Sequence, residues 1–304
     1  MTITYKEPEK IELTRLGLGA WSYSKLKVLN KCPFQFYLKY VLKAKPIVLP
    51  PVSIQTESGK AVHRVLELVM MGKSIEDSFR IAKREYEEVL PGKLWEDGND
   101  PEGFGGPGRS EFSITKFKER IDKFEKANPV KRYITELRIG VTKDWFPTGF
   151  FTNDPETPEE NVFFRGVIDL VIQMENKDII FIDHKKGYPA ISGVRNLQSQ
   201  LDLYKVMFSK GIEPYENGQS GVHFVNDAEI TMGTTSTKYD IENTMVNRIE
   251  FELQGTIDKV KDLGKFKHIM GSQCQWCEYA DPCKAGNLKA LEEGSKKWFK
   301  IKEI

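Results

Sequence analysis

Residues 163–187, FFRGVIDLVIQMENKDIIFIDHKKG, decide the fold. They read as two short strands joined by a polar turn. The first, over residues 162–172, is rich in β-branched and aromatic side chains yet carries an acid, Asp169, in its middle. The second, IIFIDHK over residues 179–185, is an apolar run that ends abruptly in an acid and a base. Glu175, Asn176, Lys177 and Asp178 between them have the composition of a hairpin loop. Side chains alternate faces along a strand, so Asp183 and Lys185 point the same way. Charges this close to core strands need a partner or an ion, because burying them unpaired is expensive. Two carboxylates and a lysine converging on one hairpin are suited to holding a divalent metal beside a reacting phosphate.

The chain has 304 residues, enough for one large domain or a core with an added lobe. An apolar content of 39% with 29% charged residues places it among ordinary soluble globular proteins. The net charge of +1 conceals an asymmetry. Between Leu13 and Thr56 there is no acid, but there are Arg15, Lys25, Lys27, Lys31, Lys39, Lys43 and Lys45, interleaved with Trp21, Tyr23, Phe34, Phe36, Tyr37 and Tyr40. Such a mixture suits a polyanion such as a nucleic acid. Taken alone, the stretch slightly favours the plainer account, a solvated helix face with its aromatics in the core. No run approaches the length of a membrane span, and the charged N-terminus does not resemble a signal peptide, so a cytoplasmic protein is expected. Lys73-Ser74 after Gly72 is not a phosphate-binding loop, since Glu67 stands where the leading glycine is required.

Further elements follow in order. Ser22 or Ser24 can cap a short helix to about residue 30, and Pro33 suits the first turn of the next. The three prolines of residues 45–56 mark a loop, after which Ser58-Gly59 open a helix whose Val62, Val65, Leu66 and Val69 follow a core-facing period. His63 sits beside that stripe; taken by itself it is a structural histidine sooner than a ligand. A helix over residues 74–89 leads to a long, mobile loop at 90–110 with six glycines and three prolines. Helix is expected over 111–127, strand over 131–141 with Glu136 inside it, and helix over 197–208 with Gln200 and Tyr204 on one face. Strands at 221–225 and 229–232 and a helix over 241–263 complete the series.

Cys274, Cys277 and Cys283 give C-x2-C-x5-C, and Cys32 is the remaining cysteine. In a reducing compartment such clustering points to a metal centre and not to disulfides. Four thiolates suit zinc or an iron–sulfur cluster, and spacing does not separate the two. Ligation by all four would close a very long loop.

Together these pieces resemble one family. The motifs GxxxH (Gly59 to His63), GVID (Gly166 to Asp169), DHKKG (Asp183 to Gly187) and QLDLY (Gln200 to Tyr204) stand in the order found in RecB-type PD-(D/E)XK nucleases. SYSKLKVLNKCP and the terminal cysteines resemble the iron–sulfur branch of that superfamily, which includes the AddB nuclease domain and the CRISPR-adaptation nucleases. The resemblance implies an α/β fold, a restriction-endonuclease-like mixed sheet flanked by helices, with a helical iron–sulfur lobe joining the N- and C-termini. It divides the chain into a basic, aromatic segment (1–57), a nuclease core (58–265) and a cysteine segment (266–304). It implies Mg²⁺ or Mn²⁺ on Asp169, Asp183 and His63, Lys185 as catalytic lysine, Gln200 and Tyr204 organising the site, and a [4Fe–4S] cluster in preference to zinc on Cys32, Cys274, Cys277 and Cys283. Asp183 stands where many relatives have Glu, and Glu136 is a looser match to an acid upstream of the GxxD strand. His184 is expected on the opposite face from Asp183 and Lys185. The activity implied is a DNA exonuclease of recombination, repair or genome processing, working with DNA and with a helicase or other recombination proteins. A spacer-processing CRISPR-adaptation nuclease shares every motif. A non-catalytic DNA-binding module on the same fold has no need of Asp169, Asp183 and Lys185.

Overall fold

The computed structural model describes residues 20–41, 45–46, 54–90, 92–95, 107–154, 156–157, 160–185, 191–225, 230–232, 236–238, 245–262, 269, 274, 277–279 and 299–300. The Ser22 hydroxyl accepts from the Lys25 amide at 3.3 Å, and this cap opens α1 (Tyr23–Lys31). Pro33, whose missing N–H is harmless in a first turn, starts α2 (Pro33–Phe36), which passes into a π-helical turn, Tyr37–Val41. The two-residue β1 (Lys45–Pro46) precedes α3 (Ile54–Met70). α3 begins before the expected Ser58-Gly59, since the chain is free to wind once past Pro51.

Ser74 caps α4 (Ile75–Glu85) by accepting from the Asp77 amide at 3.0 Å. Two 3₁₀ turns, Gly92–Trp95 and Pro107–Ser110, then lead to α5 (Glu111–Ala127). The described part of residues 90–110 is anchored: Leu90, Leu94 and Trp95 are buried in one core with Val62, Leu66 and Phe117. Their apolar side chains outweigh the glycine-rich composition around them. Residues 91 and 96–106 of that expected loop lie outside the described residues.

The strands are β2 (Val130–Val141), β3 (Pro147–Thr148), β4 (Phe164–Met174), β5 (Ile179–Lys185), β6 (Asn217–Phe224), β7 (Ile230–Met232) and β8 (Ser236–Thr237), with α6 (Ile191–Gly211) between β5 and β6. α7 (Val246–Asp262) and β9 (Phe299–Lys300) end the series, and β9 pairs with β1. The sheet runs β3-β2-β4-β5-β6-β7, with β8 also on β6. β4 and β5 form the antiparallel hairpin that opens the sequence reading, with Lys177 at φ 66° in its turn. β5 and β6 are parallel, and α6 is the crossover that such a pair requires. The sheet is therefore mixed and flanked by helices, as the resemblance implies.

β5 is buried on both faces, which explains its unbroken apolar run. Ile180 and Ile182 join the core of α3 and α5, while Phe181 packs its ring 5.5 Å from Phe208 and 5.7 Å from Tyr215.

Two compact units divide the chain: residues 1–51, 151–165 and 247–304 form one, residues 52–150 and 166–246 the other. The second holds the helices α3 to α6. In the first, the buried Trp21 exchanges backbone hydrogen bonds with Phe163 and Arg165 and stacks on Phe36 at 5.7 Å. Lys25 is buried there, its ammonium 5.3 Å from the Trp21 ring and 5.2 Å from that of Tyr40. Lys39 pairs with Glu278 at 2.8 Å. These two lysines of the basic, aromatic stretch thus serve the unit itself, whereas Lys27 and Lys31 are exposed.

Candidate active site

The buried stripe Val62, Val65, Leu66 and Val69 fixes the rotation of α3 and leaves His63 half-buried at its edge. There its Nδ1 lies 3.6 Å from Asp169 Oδ2 and 4.0 Å from Glu136 Oε1. Glu136 is delivered by an irregularity: at φ 48° it occupies the left-handed region in mid-strand. For a non-glycine residue this costs on the order of 1–2 kcal/mol and departs from regular strand geometry. Ligand atoms of His63, Glu136 and Asp169 all lie within 4.8 Å of one another. One imidazole nitrogen with carboxylate oxygens is a donor set that Mg²⁺ and Mn²⁺ accept, and the imidazole tilts it towards Mn²⁺.

Asp169 and Asp183 are linked through the hairpin. The register pairs Leu170 with Ile182, so one step further Asp169 stands opposite Asp183, and the His184 amide donates to Asp169 Oδ2 at 2.7 Å. Asp183 is buried; its Oδ2 lies 2.5 Å from Lys185 Nζ, as expected for side chains two apart. Gln200 Nε2, one turn before Tyr204 on α6, donates to Asp183 Oδ1 at 3.3 Å and to the Tyr204 hydroxyl at 2.8 Å. Gly166 explains its place in the GxxD motif: a Cβ there would stand 2.6 Å from Tyr204 Cε1. The glycine lets the tyrosine lie on the strand, and the tyrosine holds Gln200 against Asp183.

Burial pushes the Asp183 carboxyl up to about 6, aided by the Asp169 charge and opposed by Lys185. Burial likewise lifts Glu136 to about 7, aided by Asp169 and Glu67 and opposed by Arg138. Three carboxylates thus share this region with one ion-paired lysine, and the nearby cationic groups among the described residues offset their charge only in part. A divalent cation relieves the same excess of negative charge.

Behind β5, His184 turns to the opposite face from Asp183, as expected. Its Nδ1 lies 3.0 Å from His223 Nδ1, and Phe117 stacks on His223 at 4.3 Å. Burial holds His184 well below the usual histidine range and His223 at about 3, so both rings are neutral.

In the other unit, the buried Cys32 belongs to a core with Phe34, Leu38 and Tyr279, against which Cys277 packs. The Cys277 amide donates to the Cys274 carbonyl at 3.2 Å. Burial raises the Cys277 thiol, with a further contribution from the charges of Cys32 and Cys274. Cys283 lies outside the described residues.

The expected His63 and Asp169 are therefore brought together, and so are Asp183, Lys185, Gln200 and Tyr204. Glu136 joins the first group more firmly than its loose motif match implied. An acid amid the strand formers of KRYITELRIGV was the visible signal; its left-handed backbone was not. His223 carried no signal, because only the parallel register sets it beside His184.

A mixed sheet flanked by helices, with acids and a lysine along an antiparallel hairpin, is the arrangement of restriction-endonuclease-like folds. The profile of the PD-(D/E)XK nuclease superfamily matches residues 20–284, and the chain belongs to that superfamily. No curated protein sequence matches it. A crystal structure described as a "Putative exonuclease" from Eubacterium rectale aligns at TM-score 0.48 and 12% identity, covering 94% of each chain. That of a protein designated SSO0001 aligns at TM-score 0.27 and 15% identity, over 72% of this chain and 82% of the other. Among the described residues no helix is long and apolar enough to cross a membrane.

Proposed function

We propose that this chain is a metal-dependent DNA nuclease, an exonuclease acting on ends or single strands. The observation that carries the reading is the approach of His63, Glu136 and Asp169 to within 4.8 Å, beside an Asp183–Lys185 pair. His63, Asp169 and Glu136 would hold Mg²⁺ or Mn²⁺, with Asp183 as a further ligand from the adjoining strand. When bound, the cation supplies charge that polarises a phosphate and lowers the pKa of water. Lys185 orients the attacking water and offsets negative charge as it develops on the phosphorane. Gln200 and Tyr204 keep Asp183 in place, and His63 completes the donor set from α3.

Residues 1–57 and 266–304 would supply a four-cysteine centre on Cys32, Cys274, Cys277 and Cys283, an iron–sulfur cluster in preference to zinc. The packing of Cys277 against the core that holds Cys32 supports this reading. Purification without oxygen followed by a visible spectrum tests it; a colourless protein carrying zinc would replace the cluster. The activity is tested with end-labelled single- and double-stranded DNA and Mg²⁺, Mn²⁺ or EDTA. Metal-dependent loss of label from ends is expected, and no cleavage with either metal would sink the assignment.

A further inference from the structure

A cavity of about 460 Å³ opens beside the three candidate ligands, lined by Gly59, Lys60, His63, Glu136 and Arg138 among others. That size is typical of a site for a small ligand. Its charges are not equivalent. Arg64 is committed inside the protein, its Nε and NH2 to Glu85 at 2.8 and 2.9 Å and its NH1 to Glu67 at 2.7 Å. Glu67 is thereby partly offset, though its charge still bears on Glu136, which belongs to the candidate ligand set. Lys60 is exposed at the rim, sharing Glu57 at 2.7 Å. Arg138 is exposed, forms no ion pair with a carboxylate among the described residues, and is steadied by the Phe150 ring 5.9 Å from its guanidinium carbon.

Gly59 is the telling residue. It lies inside α3, where glycine is a poor helix former, and it has no positive φ to require one. A Cβ built on it meets nothing within 4 Å and would project into open space. Among the described residues no group accounts for its bareness, which Gly255 of α7 shares; Gly59 differs in lining the cavity, while Gly166 and Gly218 are explained by tyrosines packed on them. A backbone stripped of its side chain beside an exposed guanidinium is where an anionic ligand can lie close.

We propose that this cavity seats the phosphate neighbouring the one cleaved, held by Arg138 and Lys60 and lying directly over α3 at Gly59. The substrate is then a polynucleotide strand that must present at least two successive phosphates. The inference rests on the nuclease reading above and adds to it a binding step that the metal ligands do not perform.

Full-length Gly59→Ala and Arg138→Ala proteins test it, each in the Asp183→Ala background so that cleavage does not compete. Binding of a fluorescein-labelled single-stranded oligodeoxynucleotide is followed by anisotropy over a range of salt, with melting measured in parallel. Gly59→Ala is expected to raise the melting temperature by about 2 °C, because alanine favours helix, while weakening binding about tenfold. Arg138→Ala is expected to weaken binding about tenfold and to lessen the salt slope by about 0.7, the signature of one lost phosphate contact. Arg138→Lys should restore most of that slope. Binding within twofold of the parent for both alanine variants overturns the seat, and leaves the nuclease reading intact if the unsubstituted protein still cleaves. If the unsubstituted protein neither binds nor cleaves, both readings fall together.

Discussion

β5 carries polar groups on both of its faces, and the two faces solve burial differently. On one, His184 meets His223 at 3.0 Å under the Phe117 ring, and two neutral imidazoles share a single hydrogen bond. On the other, Asp183 meets Lys185, and burial with the Asp169 charge raises the Asp183 and Glu136 carboxyls. The histidine face balances its own charge; the acidic face does not. A neutral buried pair is a device for packing, since it brings no charge to offset, although the His223 Nε2 stays buried without a hydrogen-bond partner among the described residues. A buried excess of carboxylate is a charge that a cation would relieve, and it marks the candidate metal site.

This contrast can be broken most sharply by Lys185→Ala or Asp183→Ala. Each is expected to cut Mn²⁺-dependent DNA cleavage about a thousandfold, Asp183→Ala moving the melting temperature little and Lys185→Ala lowering it because the buried Asp183 loses its partner, measured by initial rates beside thermal denaturation. Cleavage at the wild-type rate by either variant would remove the acidic face from the chemistry. His223→Ala should show the reverse. It leaves the His184 Nδ1 buried without its partner and opens a cavity under Phe117, costing about 2–4 kcal/mol of stability by denaturant unfolding. A variant as stable as the parent would deny the histidine face its structural role.

Gly166→Ala stands between the two faces. The added methyl collides with Tyr204, and the strain should cost about 1–3 kcal/mol and loosen Gln200 from Asp183, lowering the cleavage rate as well. A change in stability without any change in rate would detach the tyrosine from the site.

The smallest expected effect is one of pH. Asp183 and Glu136 titrate in the folded protein near 6 and 7, above their ordinary ranges, so the fold favours their protonated forms. Their contribution to stability is full below about pH 4 and is lost as pH rises through 6 and 7. Metal-free protein should therefore lose a few degrees of melting temperature between pH 5 and 8. Added Mn²⁺ should raise it more at pH 8 than at pH 5. An equal shift at the two values would mean that the carboxylates do not bind the ion.

Much of this was legible in residues close together along the chain. The hairpin, the shared face of Asp183 and Lys185, and the turn spacing of Gln200 and Tyr204 follow from the periods of strand and helix alone. His63 could be placed on the edge of its helix but not against Asp169, because that meeting depends on how α3 packs on the sheet. Glu136 was visible as an acid in a strand, yet its approach depends on a backbone conformation that composition does not encode. The burial of Lys25 between two aromatic rings was hidden for the same reason: a lysine reads as a surface residue until its neighbours are known. In residues 90–110 the glycines hid the apolar anchors Leu90, Leu94 and Trp95, which decide where the described part of that segment lies.

The candidate catalytic groups arrive on α3, β2, β4, β5 and α6, elements spread along the chain from His63 to Tyr204. A nascent polypeptide still short of α6 lacks Gln200 and Tyr204, and no run of it holds all the groups until the sheet has closed through sequence-distant contacts. An activity assembled in this way is silent until α6 has joined the sheet, and in any proteolytic fragment that lacks one of those elements. For a protein of a nuclease superfamily, the topology itself is then a safeguard against cutting before folding is complete.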